Sequence, residues 1–185
     1  MGFEPILMEE KLNYKQSAPN RVEGIEVKEK DDHFPVHADW AYFKDQGYPE
    51  DILSSAISLD QSSAENGPIN VWPSSHLKYL EHERVDIGLQ GKPGLIDFNG
   101  GEDELAPPGS VMIFHALLIH NSRANATPRP RRLMIYSHYP SRMNMGSDVR
   151  NGPTRVQVRK CEERYRDMVA GGEYSQTSFL DGEQA

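Results

Sequence analysis

Proline and glycine interrupt this chain so often that long helices have little room over most of its length. Its 185 residues include 13 prolines and 15 glycines, and the apolar runs between them are short. Short apolar runs bounded by turn residues read as strands joined by tight connections. The expected fold class is an all-β core, a sandwich or jelly roll, followed by one late helix. The length suits a single domain with a core of its own.

Pro5 to Tyr14 reads as a first strand, residues 16–32 as a polar loop or a weak hairpin, and Phe34 to Phe43 as a segment partly on a strand end. Ala56 to Leu59 is a compact strand before the turn signal Asp60 to Pro68, and Ile69 to Trp72 resumes a strand that Pro73-Ser74-Ser75-His76 ends. Leu95 to Phe98 is a further short candidate. Val111 to His120 reads as one apolar strand, 121–130 as a loop, and Arg131 to Tyr139 as the next strand. Arg155 to Val169 has the spacing of an amphipathic helix: Thr154 caps it, Val158, Cys161, Tyr165 and Met168 recur on one face, and Gly171-Gly172 ends it. The tail, 173–185, is expected to be flexible.

The net charge of -8, with no basic stretch paired to stacking aromatics, argues against a nucleic-acid partner. No apolar run approaches the ~18 residues of a membrane span, and Met1 to Glu10 lacks the pattern of a secretory signal. The single cysteine excludes an intrachain disulfide and a cysteine zinc cluster, and points to a reducing, cytoplasmic setting.

His37, Asp39 and His120 carry the chemistry. Residues i and i+2 of a strand face the same way, so His37 and Asp39 present an imidazole and a carboxylate together, and a barrel can bring His120 to them from another strand. Two imidazoles and one carboxylate on one face of a metal leave the opposite positions open, the arrangement of non-haem Fe(II) oxygenases. Ser122 and an arginine beyond His120 suit the distal carboxylate of 2-oxoglutarate. Alternation does not choose between Arg131 and Arg132, because apolar residues follow both. Among other histidines, His33 has no acid two residues on. His76 lies in a turn, His82 in a charged stretch that reads as solvated, and His138 on the Arg131 strand. His115 is an odd number of residues from His120 and would face away from it on a regular strand. Phe43 reads as core, whereas Trp40 and Tyr42 are expected to border a substrate pocket.

The segments His37-Ala38-Asp39-Trp40, Ala64-Glu65-Asn66-Gly67-Pro68-Ile69-Asn70-Val71-Trp72-Pro73-Ser74-Ser75-His76, Pro108-Gly109-Ser110-Val111-Met112-Ile113-Phe114-His115 and His120-Asn121-Ser122 with Arg131 resemble the phytanoyl-CoA dioxygenase family of Fe(II)/2-oxoglutarate-dependent oxygenases. The similarity runs from about Leu7 to Tyr139, and in the family the commoner form of the Pro73-Ser74-Ser75-His76 ending is Pro-Gly-Ser-His. The resemblance implies a double-stranded β-helix (cupin-like jelly roll) with iron on His37, Asp39 and His120. It also implies 2-oxoglutarate on Arg131 rather than Arg132, with Ser122 and Asn13 assisting. Asp39 stands where family halogenases carry a small residue, so the implied outcome is hydroxylation of a small organic substrate by O2, with release of succinate and CO2. The segment before His37 is shorter than is usual for the family. Residues 1–185 therefore read as one oxygenase domain without the usual N-terminal extension, a fragment or a minimal version. The rival readings are a cupin-like metalloenzyme that does not use 2-oxoglutarate and an inactive barrel serving as a binding module.

Overall fold

The computed structural model describes residues 5–17 and 33–140. The expected helix at 155–169, the tail at 173–185, Cys161 and most of the 16–32 loop lie outside the described residues.

Along strand β10 (Arg131–Pro140), Arg131, Leu133, Ile135, Ser137 and Tyr139 are buried while Arg132 is exposed. This period of two is what a sheet with one face on a core requires. β10 pairs antiparallel with β1 (Pro5–Lys15) and with β3 (Leu53–Ser58), which in turn pairs with β8 (Val111–His115). The second sheet runs β2 (Phe34–His37), β9 (His120–Ser122), β4 (Ile69–Val71) and β7 (Glu102–Asp103), again antiparallel. Neighbours in space are distant in sequence, the strand order of a jelly roll. A separate hairpin of β5 (His82–Val85) and β6 (Gly88–Gly91) lies against β2. The helix α1 (Trp40–Phe43) is a single turn. Among the described residues no helix is long and apolar enough to cross a membrane.

Three apolar clusters surround the space between the sheets. Phe114, Leu133 and Ile135, with Ala56, fill the barrel between β3, β8 and β10. Val36, Ala38, Trp72 and Ile119 back β2 and the approach to β9. Phe43, Tyr48, Ile52 and Tyr139 pack under α1, with Trp40 and Tyr42 against them. Full burial of each large side chain is worth about 1.5–3 kcal/mol, so these clusters hold the sheet ends in place around the site.

Four elements differ from the sequence reading. The apolar run Val111 to His120 is two strands in different sheets, broken at residues 116–119. Leu118 N–H bonds the His115 carbonyl, while both polar groups of the Ala116 peptide are taken by Ile52 and Trp40. These bonds turn an apolar segment that has no proline or glycine to announce it. Asp39 is not on the strand of His37; it begins α1. Leu95 to Phe98 is a turn, and the stretch before it forms the β5–β6 hairpin. The strand expected at Ala56 begins at Leu53 and ends at Ser58.

Candidate metal centre

His37 and His120 are cross-strand partners in the β2–β9 pair, which sets their rings 4.4 Å apart. Beyond His37 the chain bends, and Asp39 takes the N-cap position of α1 without using its side chain to cap. Aspartate is a preferred capping residue; here its carboxylate turns to the imidazoles instead. Asp39 Oδ1 lies 3.6 Å from His37 Nε2 and 3.7 Å from His120 Nε2, and one ligand atom from each residue fits within 4.8 Å of the others. Donors held ~2.1 Å from a common ion lie ~3 to 4.2 Å apart, from right-angle to opposite positions, so one divalent ion suits the set.

The ring orientations agree. His37 Nδ1 meets the Pro35 carbonyl at 2.7 Å, and His120 Nδ1 meets that of Leu118 at 3.0 Å. A carbonyl only accepts, so each Nδ1 carries the hydrogen and each Nε2 offers its lone pair, as ligating histidines do. Burial holds the His120 pKa down to about 4, with His37 adding to this and Asp39 and the Leu118 carbonyl opposing it. Burial works to raise the Asp39 pKa, but His120 and the His37 contact outweigh it and keep the carboxyl well below the usual range. At neutral pH His120 offers a neutral donor and Asp39 an anionic one.

The approach to His120 is fixed from the Pro73-Ser74-Ser75-His76 turn. Ser75 Oγ accepts the Ile119 N–H at 2.8 Å, and Trp72 N–H bonds the Ile119 carbonyl at 3.0 Å. The ligands open on a cavity of about 300 Å³ that Asn13, Ser122, Arg131 and Leu133 also line. Arg131 is 3 % exposed; it donates to the Gly67 carbonyl at 2.7 Å, and its Nε is buried without a partner. Gly67 has φ 70°, and a Cβ there would overlap the Arg123 carbonyl, which explains glycine in the Asn66-Gly67-Pro68 turn. Arg132 points out, its guanidinium forked on Asp60 at 2.8 and 2.9 Å. A second cavity, of about 700 Å³, shares Ile69, Phe114, Arg131 and Leu133 with the first; His76 and His115 line it.

Neither Trp40 nor Tyr42 lines the smaller cavity. Tyr42 sits edge-on to His37 at 5.7 Å, and Trp40 packs on Tyr79 at 4.9 Å. His33 and His76 are exposed. His115 accepts from Leu117 N–H. His82 is not solvated: it is half-buried, bonded to Leu80 and Ala38. Lys15 was missed by the sequence reading. It is 2 % exposed, pairs with Arg131 across β1–β10, and donates to Ser122 Oγ at 2.7 Å and to the Arg123 carbonyl. The signal was alternation, since Lys15 lies two residues from Asn13 and therefore on the same face.

Comparison with known proteins agrees with this geometry. A family model described as "Phytanoyl-CoA dioxygenase (PhyH)" matches residues 16–133. An ectoine dioxygenase from Sphingopyxis alaskensis is 26% identical over 163 residues, covering 77% of this chain and 50% of that protein. A probable alpha-ketoglutarate-dependent hypophosphite dioxygenase from Stutzerimonas stutzeri is 28% identical over 110 residues, covering 55% of this chain and 38% of that protein. A crystal structure of EctD from S. alaskensis with bound Fe superposes with a TM-score of 0.57 at 25% identity, over 77% of this chain and 47% of that one. The chain thus spans half or less of the length of these relatives.

Proposed function

The chain belongs to the phytanoyl-CoA dioxygenase family, and from that premise we propose that it is an Fe(II)- and 2-oxoglutarate-dependent dioxygenase that hydroxylates a small organic substrate. The observation that carries this reading is the convergence of His37, Asp39 and His120 on the same cavity as Arg131.

His37 Nε2, His120 Nε2 and the Asp39 carboxylate would hold the ion where they line the cavity. Together, Fe(II) and 2-oxoglutarate supply oxidative chemistry: O2 is consumed, succinate and CO2 are released, and one oxygen atom enters a substrate C–H bond. The residues of the chain bind, orient and exclude. Arg131 anchors the distal carboxylate of 2-oxoglutarate, for which its buried, unpartnered Nε is a donor. The Ser122 hydroxyl accepts from Lys15, so its own hydrogen is directed elsewhere, toward the same carboxylate. Asn13 lines the cavity from β1 and assists. The adjacent cations Lys15 and Arg131 favour a dianionic co-substrate over a monoanion. Phe114, Leu133 and Ile135 wall the cavity with apolar surface and keep water from the anchored acid. The setting is cytoplasmic, where a ferrous ion and a lone thiol stay reduced; the partners are the small substrate and O2, with neither nucleic acid nor membrane.

The test is succinate formation by the purified chain with 2-oxoglutarate, O2 and Fe(II) across a panel of small substrates. Succinate that depends on Fe(II) and rises with one substrate is the expected result. Substrate oxidation without loss of 2-oxoglutarate identifies a cupin-like enzyme of another class. Tight Mn(II) binding with no turnover across the panel identifies a binding module.

A further inference from the structure

We propose that His82 is a positioning residue of the metal site: by accepting the Ala38 N–H, it fixes the bend that brings His37 and Asp39 to one ion, without touching that ion. This rests on the metal-site reading above.

His82 repeats the pattern of the two ligand histidines with a different target. Its Nδ1 meets the Leu80 carbonyl at 2.7 Å, two residues back, as His37 meets Pro35 and His120 meets Leu118. Its Nε2 faces the Ala38 N–H at 2.9 Å. A backbone N–H can be accepted only by an unprotonated nitrogen, so both ring nitrogens are committed and the tautomer is set. The ring plane is set as well: His82 stacks on Tyr79 at 5.6 Å and 17°. Tyr79 in turn is held edge-on by Trp40 and lies under Lys44 Nζ, 5.0 Å from its ring centre.

Ala38 is the residue between the ligands and is 1 % exposed. Strand β2 ends on one side of it and α1 begins on the other. The Ala38 carbonyl accepts the Ala41 N–H at 3.1 Å, and the Ala38 N–H donates to His82. A buried N–H without an acceptor is costly, so without His82 the bend relaxes to find one, and the angle between the ligands changes. The same hairpin grips the turn a second time. Leu89 N–H donates to the Tyr42 hydroxyl at 2.8 Å, and a Cβ on Gly88 would come within 2.5 Å of that oxygen. β5–β6 thus acts as a brace for the ligand turn.

The experiment compares His82→Gln with His82→Asn in the full chain, by calorimetric titration with Mn(II) and by circular dichroism of the apo protein. The Gln amide oxygen reaches the place of Nε2; the Asn oxygen stops at the place of Nδ1 and cannot reach Ala38. His82→Gln is expected to bind Mn(II) within ~3-fold of wild type and His82→Asn at least ~10-fold more weakly, with both folded. Wild-type affinity in His82→Asn, or equal weakening in both, overturns the proposal. A wild-type chain that binds no Mn(II) overturns the metal-site reading itself, and this inference with it. If His82→Asn does not fold, the 15N-labelled wild type decides: scalar coupling between the Ala38 amide nitrogen and His82 Nε2 is expected, and its absence overturns the proposal.

Discussion

Replacing Arg131 with alanine tests the co-substrate site most directly. Arg131 is 3 % exposed, its guanidinium gives one bond to Gly67, and its Nε is buried without a partner. Burial pulls its pKa down, with Asp60 opposing, so the buried cation is under-compensated until an anion arrives. A hydrogen bond to a charged group contributes roughly 1.5–3 kcal/mol. Two from one fork are not fully additive, and about 3–4 kcal/mol is a reasonable total, or roughly 100- to 1,000-fold in dissociation constant. Arg131→Lys keeps the charge but not the fork and should lose about 10-fold. Arg132→Ala removes an exposed fork on Asp60 and should leave 2-oxoglutarate affinity within about 2-fold of wild type. The assay is calorimetric titration of 2-oxoglutarate into Mn(II)-loaded protein, with a thermal melt of each variant to confirm folding. A folded Arg131→Ala protein within ~3-fold of wild type, or equal losses for Arg131→Ala and Arg132→Ala, refutes the assignment.

Asp39→Ala removes the only anion of the ligand set and should abolish both Mn(II) binding and succinate release; unchanged turnover would rule out the metal centre. Ser74 holds φ 66°, a left-handed position where the family's commoner motif has glycine. The αL cost of ~1–2 kcal/mol less the entropy of glycine leaves Ser74→Gly more stable by about 0.5–1 kcal/mol, a Tm rise of ~1–4 °C, and a lower Tm would contradict that account. Folding favours neutral His120, with a pKa of about 4 against an ordinary 6.5. The unfolded chain therefore binds more protons between those values, and apo stability should fall as pH drops from 6.5 toward 4. Denaturant melts of wild type and His120→Asn across that window measure the effect, which is refuted if the two slopes are equal.

What could be read from the sequence was whatever depended on residue type and short periods. The three candidate ligands, Ser122 and the turn at Asn66-Gly67-Pro68 stand out by chemistry. The inward face of β10 did not, because Met134 and Tyr136 on its other side are themselves half-buried and no polar face contrasts with the core. The break at 116–119 was hidden for a related reason. Its residues are apolar, and its shape is held by backbone hydrogen bonds to Ile52 and Trp40, far away in sequence. His82 sits in a run of charged neighbours that looks solvated, yet tertiary packing encloses its ring between Tyr79 and Ala38. Each failure came where a distant contact, rather than a local preference, decided the outcome.

Ala64 to His76, the longest of the segments that resemble the family, contains none of the three candidate ligands. Its work is mechanical and reaches both halves of the site. The Gly67 carbonyl holds Arg131, and only glycine fits there because the Arg123 carbonyl fills the space a Cβ would need. Eight residues on, Ser75 holds the Ile119 N–H and so the entry of His120 into β9. Between them, β4 pairs with β9 in register, Val71 opposite His120 and Ile69 opposite Ser122. One short connection therefore fixes the distance between His120 and Arg131. A change in that connection should disturb metal and 2-oxoglutarate binding together, whereas a change at Arg131 should disturb only the second. The pattern of coupled and uncoupled losses separates a scaffold defect from a lost contact.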